Sequence, residues 1–63
     1  MKPIGQVISA NSKVLYWVGL SKDGVLGIKI DGKMWMIIAE NVKSKENAIP
    51  LAGSIINFQE QLF

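Results

Sequence analysis

Apolar residues alternate with others through Val25-Leu26-Gly27-Ile28-Lys29-Ile30, meet Asp31-Gly32, and resume in Lys33-Met34-Trp35-Met36-Ile37-Ile38-Ala39. An Asp-Gly pair tolerates the positive φ angles of a two-residue type I′ turn, whose twist suits antiparallel strands. The pattern predicts a hairpin in which Ile30 faces Lys33, Ile28 faces Trp35 and Leu26 faces Ile37. Because strand side chains alternate with period two, Leu26, Ile28, Ile30, Trp35, Ile37 and Ala39 are expected on one interior face. The reverse face then carries Gly27, Lys29 and Asp31 on one strand and Met34, Met36 and Ile38 on the other.

The same reading extends along the chain. Met1 to Pro3 is a loose end, and Ile4 to Ser9 a first short strand with Gly5 as a weak point or bulge. Asn11-Ser12 is turn-like, and Val14-Leu15-Tyr16-Trp17-Val18, rich in β-branched and aromatic residues, reads as a central strand. Ser21-Lys22-Asp23-Gly24 supplies a second Asp-Gly turn. Glu40 to Pro50 is polar and reads as a loop with some helical character, since an isolated helix so short is marginal. Leu51-Ala52-Gly53 turns the chain into a strand at Ser54-Ile55-Ile56-Asn57-Phe58, and Gln61-Leu62-Phe63 completes a final short one. Five or six short strands with turns between them imply an all-β fold, a small five-stranded OB-like β-barrel, with residues 1–63 forming a single domain.

Composition narrows the function classes. A chain of 63 residues hides only about 60% of its unfolded surface, and domains of this size commonly lean on disulfides, a metal or a partner subunit. With no Cys and no His, disulfides and the usual zinc sites are excluded. Stability must come from packing, and the 49% hydrophobic content is high enough to leave apolar surface for another chain. The longest apolar runs, Val14 to Leu20 and Met34 to Ala39, are far shorter than the roughly 20 residues of a membrane span. The first residues carry one Lys and no long apolar stretch, unlike a secretory signal. The expectation is a soluble chain, cytoplasmic or membrane-associated through a longer parent protein.

Chemistry is sparse. Without His or Cys no ordinary nucleophile–base pair can be built, and no spacing singles out a Ser-Lys pair. Asp23 and Asp31 read as turn residues before Gly, while Glu40, Glu46 and Glu60 are scattered. Gly24-Val25-Leu26-Gly27 and Gly32-Lys33 lack the glycine spacing of phosphate-binding loops. The chain is therefore read as a non-enzyme, with no metal, no cofactor and no small-molecule substrate.

Two faces remain as candidates for binding. Met34, Met36 and Ile38, with Lys29 beside them, form an apolar set that a solvated outer face would not need. Either the loop from Glu40 to Pro50 covers it, the strand is buried on both sides, or it meets a protein partner or a second copy, a use that suits adaptable Met. The alternative is a single-stranded nucleic-acid face built from Tyr16 or Trp17 with Lys13 and Lys22, since small barrels stack bases on exposed rings. Adjacent in a strand, Tyr16 and Trp17 must point to opposite faces, so one of them belongs to the core or covers a barrel mouth. Seven Lys against five acids give a net charge of +2 with no Arg, the residue best shaped for bidentate reading of bases and phosphates. A third reading is an SH3-like barrel whose polar loop at 40–50 grips a peptide.

Gly27-Ile28-Lys29-Ile30-Asp31-Gly32-Lys33-Met34-Trp35 resembles a strand, turn and strand ending in tryptophan found in the soluble C-terminal OB-fold domain of NfeD-like proteins, the membrane partners of stomatin-type proteins. Ile49 and Gly53 followed by Ser54-Ile55-Ile56-Asn57-Phe58 are similar to that family's apolar–glycine–strand element, and Leu62-Phe63 to its closing apolar pair. The resemblance covers Leu20 to Phe63. It departs at Ser21-Lys22-Asp23-Gly24, where the family has proline and glycine, and after Trp35, where this chain is longer. It implies a five-stranded barrel serving protein interaction and the assembly of membrane-associated complexes.

Overall fold

Four strands and one helix follow along the chain: β1 (Lys2–Ile8), β2 (Leu15–Leu20), β3 (Leu26–Lys29), β4 (Met36–Ala39) and α1 (Lys45–Gln61). This computed structural model describes residues 1–61. The strands make one antiparallel sheet in the order β1-β2-β3-β4, so each pairs with its neighbour in sequence. The chain is mostly β, as its pattern implies. It is an open sheet, however, and not a closed five-stranded barrel.

The missing fifth strand explains the difference. Ser54–Phe58 lies inside α1, and the helix also absorbs Lys45–Pro50, which reads locally as loop. Ala48, Ala52 and Ile56 recur every fourth residue and are the buried positions of this helix, a period that places them on one stripe. The small Ala48 and Ala52 let α1 lie close to the sheet. Burial of that stripe against β1–β3 outweighs the local β preference of Ile55-Ile56. Ser44 stands at the helix start, its carbonyl accepting from the amides of Asn47 and Ala48 at 3.3 and 3.1 Å, and Glu46 in the first turn suits the helix dipole. Pro50 sits within the helix, where it lacks an N–H to donate to the preceding turn. The expected last strand begins in α1 at Gln61, and its other residues, Leu62 and Phe63, lie outside the described residues.

The core is the space between α1 and one face of the sheet: Val18, Leu26, Ile28, Val42, Ala48, Ala52 and Ile56. Two close approaches shape it. A Cβ on Gly5 would stand 2.5 Å from Cδ1 of Ile49, so glycine at this β1 position makes room for the helix. Gly24, at φ 85°, lies under the backbone of Val42, whose amide donates to the Gly24 carbonyl at 2.9 Å. Asn41, at φ 60°, turns the chain leaving β4 towards that contact.

The β3–β4 register differs from the expected one by one residue. Ile28 faces Met36 and Gly27 faces Ile37, with an irregularity before Leu26 faces Ala39. The Lys33 amide donates to the Ile30 carbonyl at 2.9 Å. Gly32 has φ 80° while Asp31 stays at negative φ, the φ pattern of a type II turn and not of type I′. A slip of one residue exchanges the faces. Trp35 and Ile37 therefore move to the face opposite the helix, and Met36 takes the helix-side face instead.

Candidate functional site

The sheet's two faces are treated unequally. On the helix side, Val18, Leu26 and Ile28 are buried. On the other side no element covers the strands among the described residues, and there the chain covers itself with two side chains. Gly19 and Gly27 face each other across β2 and β3, leaving a floor without side chains. A Cβ on Gly19 would come within 2.7 Å of the Trp35 ring, and one on Gly27 within 2.5 Å of the Met1 sulfur. Trp35 thus lies across a glycine seat, half-buried, and is no interior barrel residue. The Lys29 ammonium stands 5.4 Å from the centre of its ring, within the range of a cation–π contact. Trp17, the Cα partner of Lys29, lies on this same face. A depression of about 400 Å³ runs between Met1, Pro3, Trp17, Lys29, Asp31 and Trp35.

The candidate set of Met34, Met36, Ile38 and Lys29 does not form one face. Ile38 packs against the core, Met36 projects to the helix side, Lys29 belongs to the opposite face, and Met34 lies in the connection before β4. Three of the four nevertheless meet at the hairpin end, where Lys29, Met34 and Met36 join Tyr16, Ile28, Ile30 and Lys33 around a depression of about 340 Å³. Among the described residues no side chain of α1 lines it. Met34 is 89% exposed, Met36 59%, Ile37 53% and Ile30 41%. Among the described residues the loop expected to cover this set does not do so, since residues 40–44 run to the Gly24 turn and 45–50 belong to α1, and the exposure of Met36 and Ile37 shows that the strand is not buried on both sides.

The second candidate set, Tyr16, Trp17, Lys13 and Lys22, is not brought together. Lys13 sits at φ 63° in the β1–β2 turn and Lys22 in the β2–β3 turn, so they flank opposite ends of β2. Tyr16 is committed to the helix side. Its hydroxyl donates to Glu60 Oε2 at 3.4 Å, and burial, followed by the Glu60 charge, raises its pKa.

Glu60 anchors a cluster that no local pattern announces. Its carboxylate accepts from the Ser9 hydroxyl and, at 2.7 Å, from the Ser12 hydroxyl. Ser9 is fully buried, and its oxygen also accepts from the amides of Asn11 and Ser12, both at 3.2 Å. The hydroxyl's one donor and two acceptor positions are all used. A carboxylate in the last turn of a helix opposes the dipole; the hydroxyl donors, Ser9 first and Ser12 second, offset this and hold Glu60 below its usual pKa. The serine it holds is shut away from solvent. Chemically this is a clasp between the end of α1 and the β1–β2 turn. Partners some fifty positions apart in the chain explain why sequence reasoning missed it.

Among the described residues no group of three or more His, Cys, Asp or Glu side chains could hold a metal ion, and no helix is long and apolar enough to cross a membrane. No family model, curated protein or solved structure matches the chain. The NfeD-like resemblance thus rests on its quoted residues, and the segment expected to supply that family's strand, Ser54–Phe58, is helical.

Proposed function

We propose that this chain is a protein-interaction module without catalytic activity, and that its contact surface is the β3–β4 hairpin. The observation that carries the reading is the exposure of Ile30, Met34 and Met36 around one apolar depression at the hairpin end, with Ile37 exposed on the opposite face. Nine large apolar side chains are exposed among the described residues against seven hydrophobic residues in the core. Single exposed apolar residues are ordinary; a contiguous group on one hairpin marks a site of contact. Two of the four are methionines, which adapt to a partner's shape. The segment from Gly27 to Trp35 that carries the NfeD-like resemblance is this same hairpin, which supports a role in assembly with another protein.

Met36→Glu tests the reading by placing a charge in the middle of the patch. Association, measured as molecular mass by light scattering or as retention of a bound protein on the immobilised chain, weakens by about tenfold or more. Added salt changes wild-type binding far less steeply than it changes a nucleic-acid complex. Association identical in wild type and variant contradicts the proposed surface.

A second reading rests on a specific feature, the placement of Trp17 and Trp35 on one open sheet face with Lys29 between them. Such a face could stack the bases of a single strand. Quenching of indole fluorescence by a mixed-sequence oligonucleotide, fading steeply with salt, would favour it over the protein-contact reading.

A further inference from the structure

We infer that the free edge of β4 pairs with β4 of a second copy of this chain, joining two sheets into one antiparallel sheet of eight strands. The inference rests on the interaction reading of the hairpin and names its partner. An edge strand offers the N–H and C=O groups of alternate residues to any strand that can align with it. Here the two edges of the sheet are finished differently. β1 opens with Lys2 and Pro3, and its register breaks between Pro3 and Gly5. Both edge strands carry a register break, β4 at Ile38, so what sets β1 apart is the charge and the missing donor, two devices that discourage pairing. β4 is Met36-Ile37-Ile38-Ala39, with no charge, no proline and no glycine. Nor does the following chain shield it, since Val42 bonds to Gly24 at the β2–β3 turn.

Charge distribution selects the occupant. Lys33 precedes β4 and Glu40 follows it, and both side chains are exposed. In an antiparallel pairing of two β4 strands, the Lys33 end of one copy lies against the Glu40 end of the other, twice over. The edge is thus complementary to itself, as a two-fold interface requires. A parallel arrangement would set lysine beside lysine and glutamate beside glutamate. The side chains flanking the ladder, Met36 and Ile37, are each more than half exposed in the single chain and become covered in the pair. A chain of this size gains the most from such burial, because its own core is small.

Sedimentation equilibrium at low ionic strength, run on the wild type, Lys33→Glu, Glu40→Lys and the double reversal, tests this. The wild type is expected to dimerise. Each single reversal sets like charges together at both symmetric contacts and weakens the dimer about fivefold or more; the double reversal restores affinity to within about twofold of wild type. Because Lys33 and Glu40 are exposed and outside regular strands, the variants keep the monomer fold, which circular dichroism verifies. A wild type that remains monomeric to about 1 mM overturns the inference. So does a dimer of equal strength in all four proteins. In either case the wider interaction reading is judged separately, by whether the immobilised wild type retains a protein that Met36→Glu loses.

Discussion

β1 and β4 are the two edges of one sheet, yet the molecule spends its helix on only one of them. α1 crosses β1, β2 and β3, seats Ile49 over Gly5, and is clasped at its end by Ser9, Ser12 and Tyr16 around Glu60. β4 lies beyond the helix, with Met36 and Ile37 exposed and only Ile38 and Ala39 packed towards the core. The contrast separates two uses of the same apolar chemistry. On the helix side of β2 and β3 it is enclosed and holds the fold, while Ile8 and Leu15 at the far end of β1–β2 stay exposed; at the β3–β4 hairpin it remains available to a partner.

Core and hairpin substitutions sharpen that division most strongly. Leu26 is fully buried and Ile37 is 53% exposed, although both belong to the β3–β4 pair. Leu26→Ala should cost about 2–5 kcal/mol of folding stability, whereas Ile37→Ala should cost about 0.5 kcal/mol or less in the monomer. Urea denaturation at low protein concentration measures both. Equal losses would mean that the hairpin's apolar residues serve the fold, and the division between the two regions would disappear.

Acidity probes the clasped side alone, and its effect is smaller. The pKa of Glu60 is lowered in the folded chain, chiefly by the Ser9 hydroxyl. Its contribution to stability is therefore complete above the ordinary carboxylate value. It is lost as pH falls through the depressed folded value. Glu60→Gln lacks this step. Below roughly pH 5 the wild type should lose stability more steeply than the variant, the two curves converging in acid. Parallel curves over that range would show that the clasp carries no weight, and the β4 hairpin should respond the same way in both proteins.

What could be read from the sequence follows the range of the interactions involved. The antiparallel strands and their turns at Gly24 and Gly32 were legible because alternation and turn chemistry are local. The register at Asp31-Gly32 was not: a type II φ pattern in place of type I′ shifts pairing by one residue and carries Trp35 out of the expected interior. Glycines at 19 and 27 then acquire a purpose, Gly19 as the seat of that indole and Gly27 as the seat of the Met1 side chain. The helix was hidden because Ile55-Ile56 favours a strand locally, while the deciding signal is the four-residue spacing of Ala48, Ala52 and Ile56. Two of those are alanines, which contribute little to an apolar pattern until a sheet is present to receive them. Of the candidate surface, the methionines were legible as an apolar set that a solvated face would not need, but whether the Glu40–Pro50 segment covered them depended on the helix that segment joins. Their separation from Ile38 depended on the register, and the Glu60 clasp on contacts across the whole chain.

Amide hydrogen exchange, followed residue by residue at low and high protein concentration, tests the central claim most directly. Pairing at the free edge predicts that amides within Met36–Ala39 exchange more slowly as concentration rises, while those of Lys2–Ile8 and the exposed side of α1 keep their rates. Protection at Met36–Ala39 that is independent of concentration, or that grows instead along β1 or α1, would contradict it.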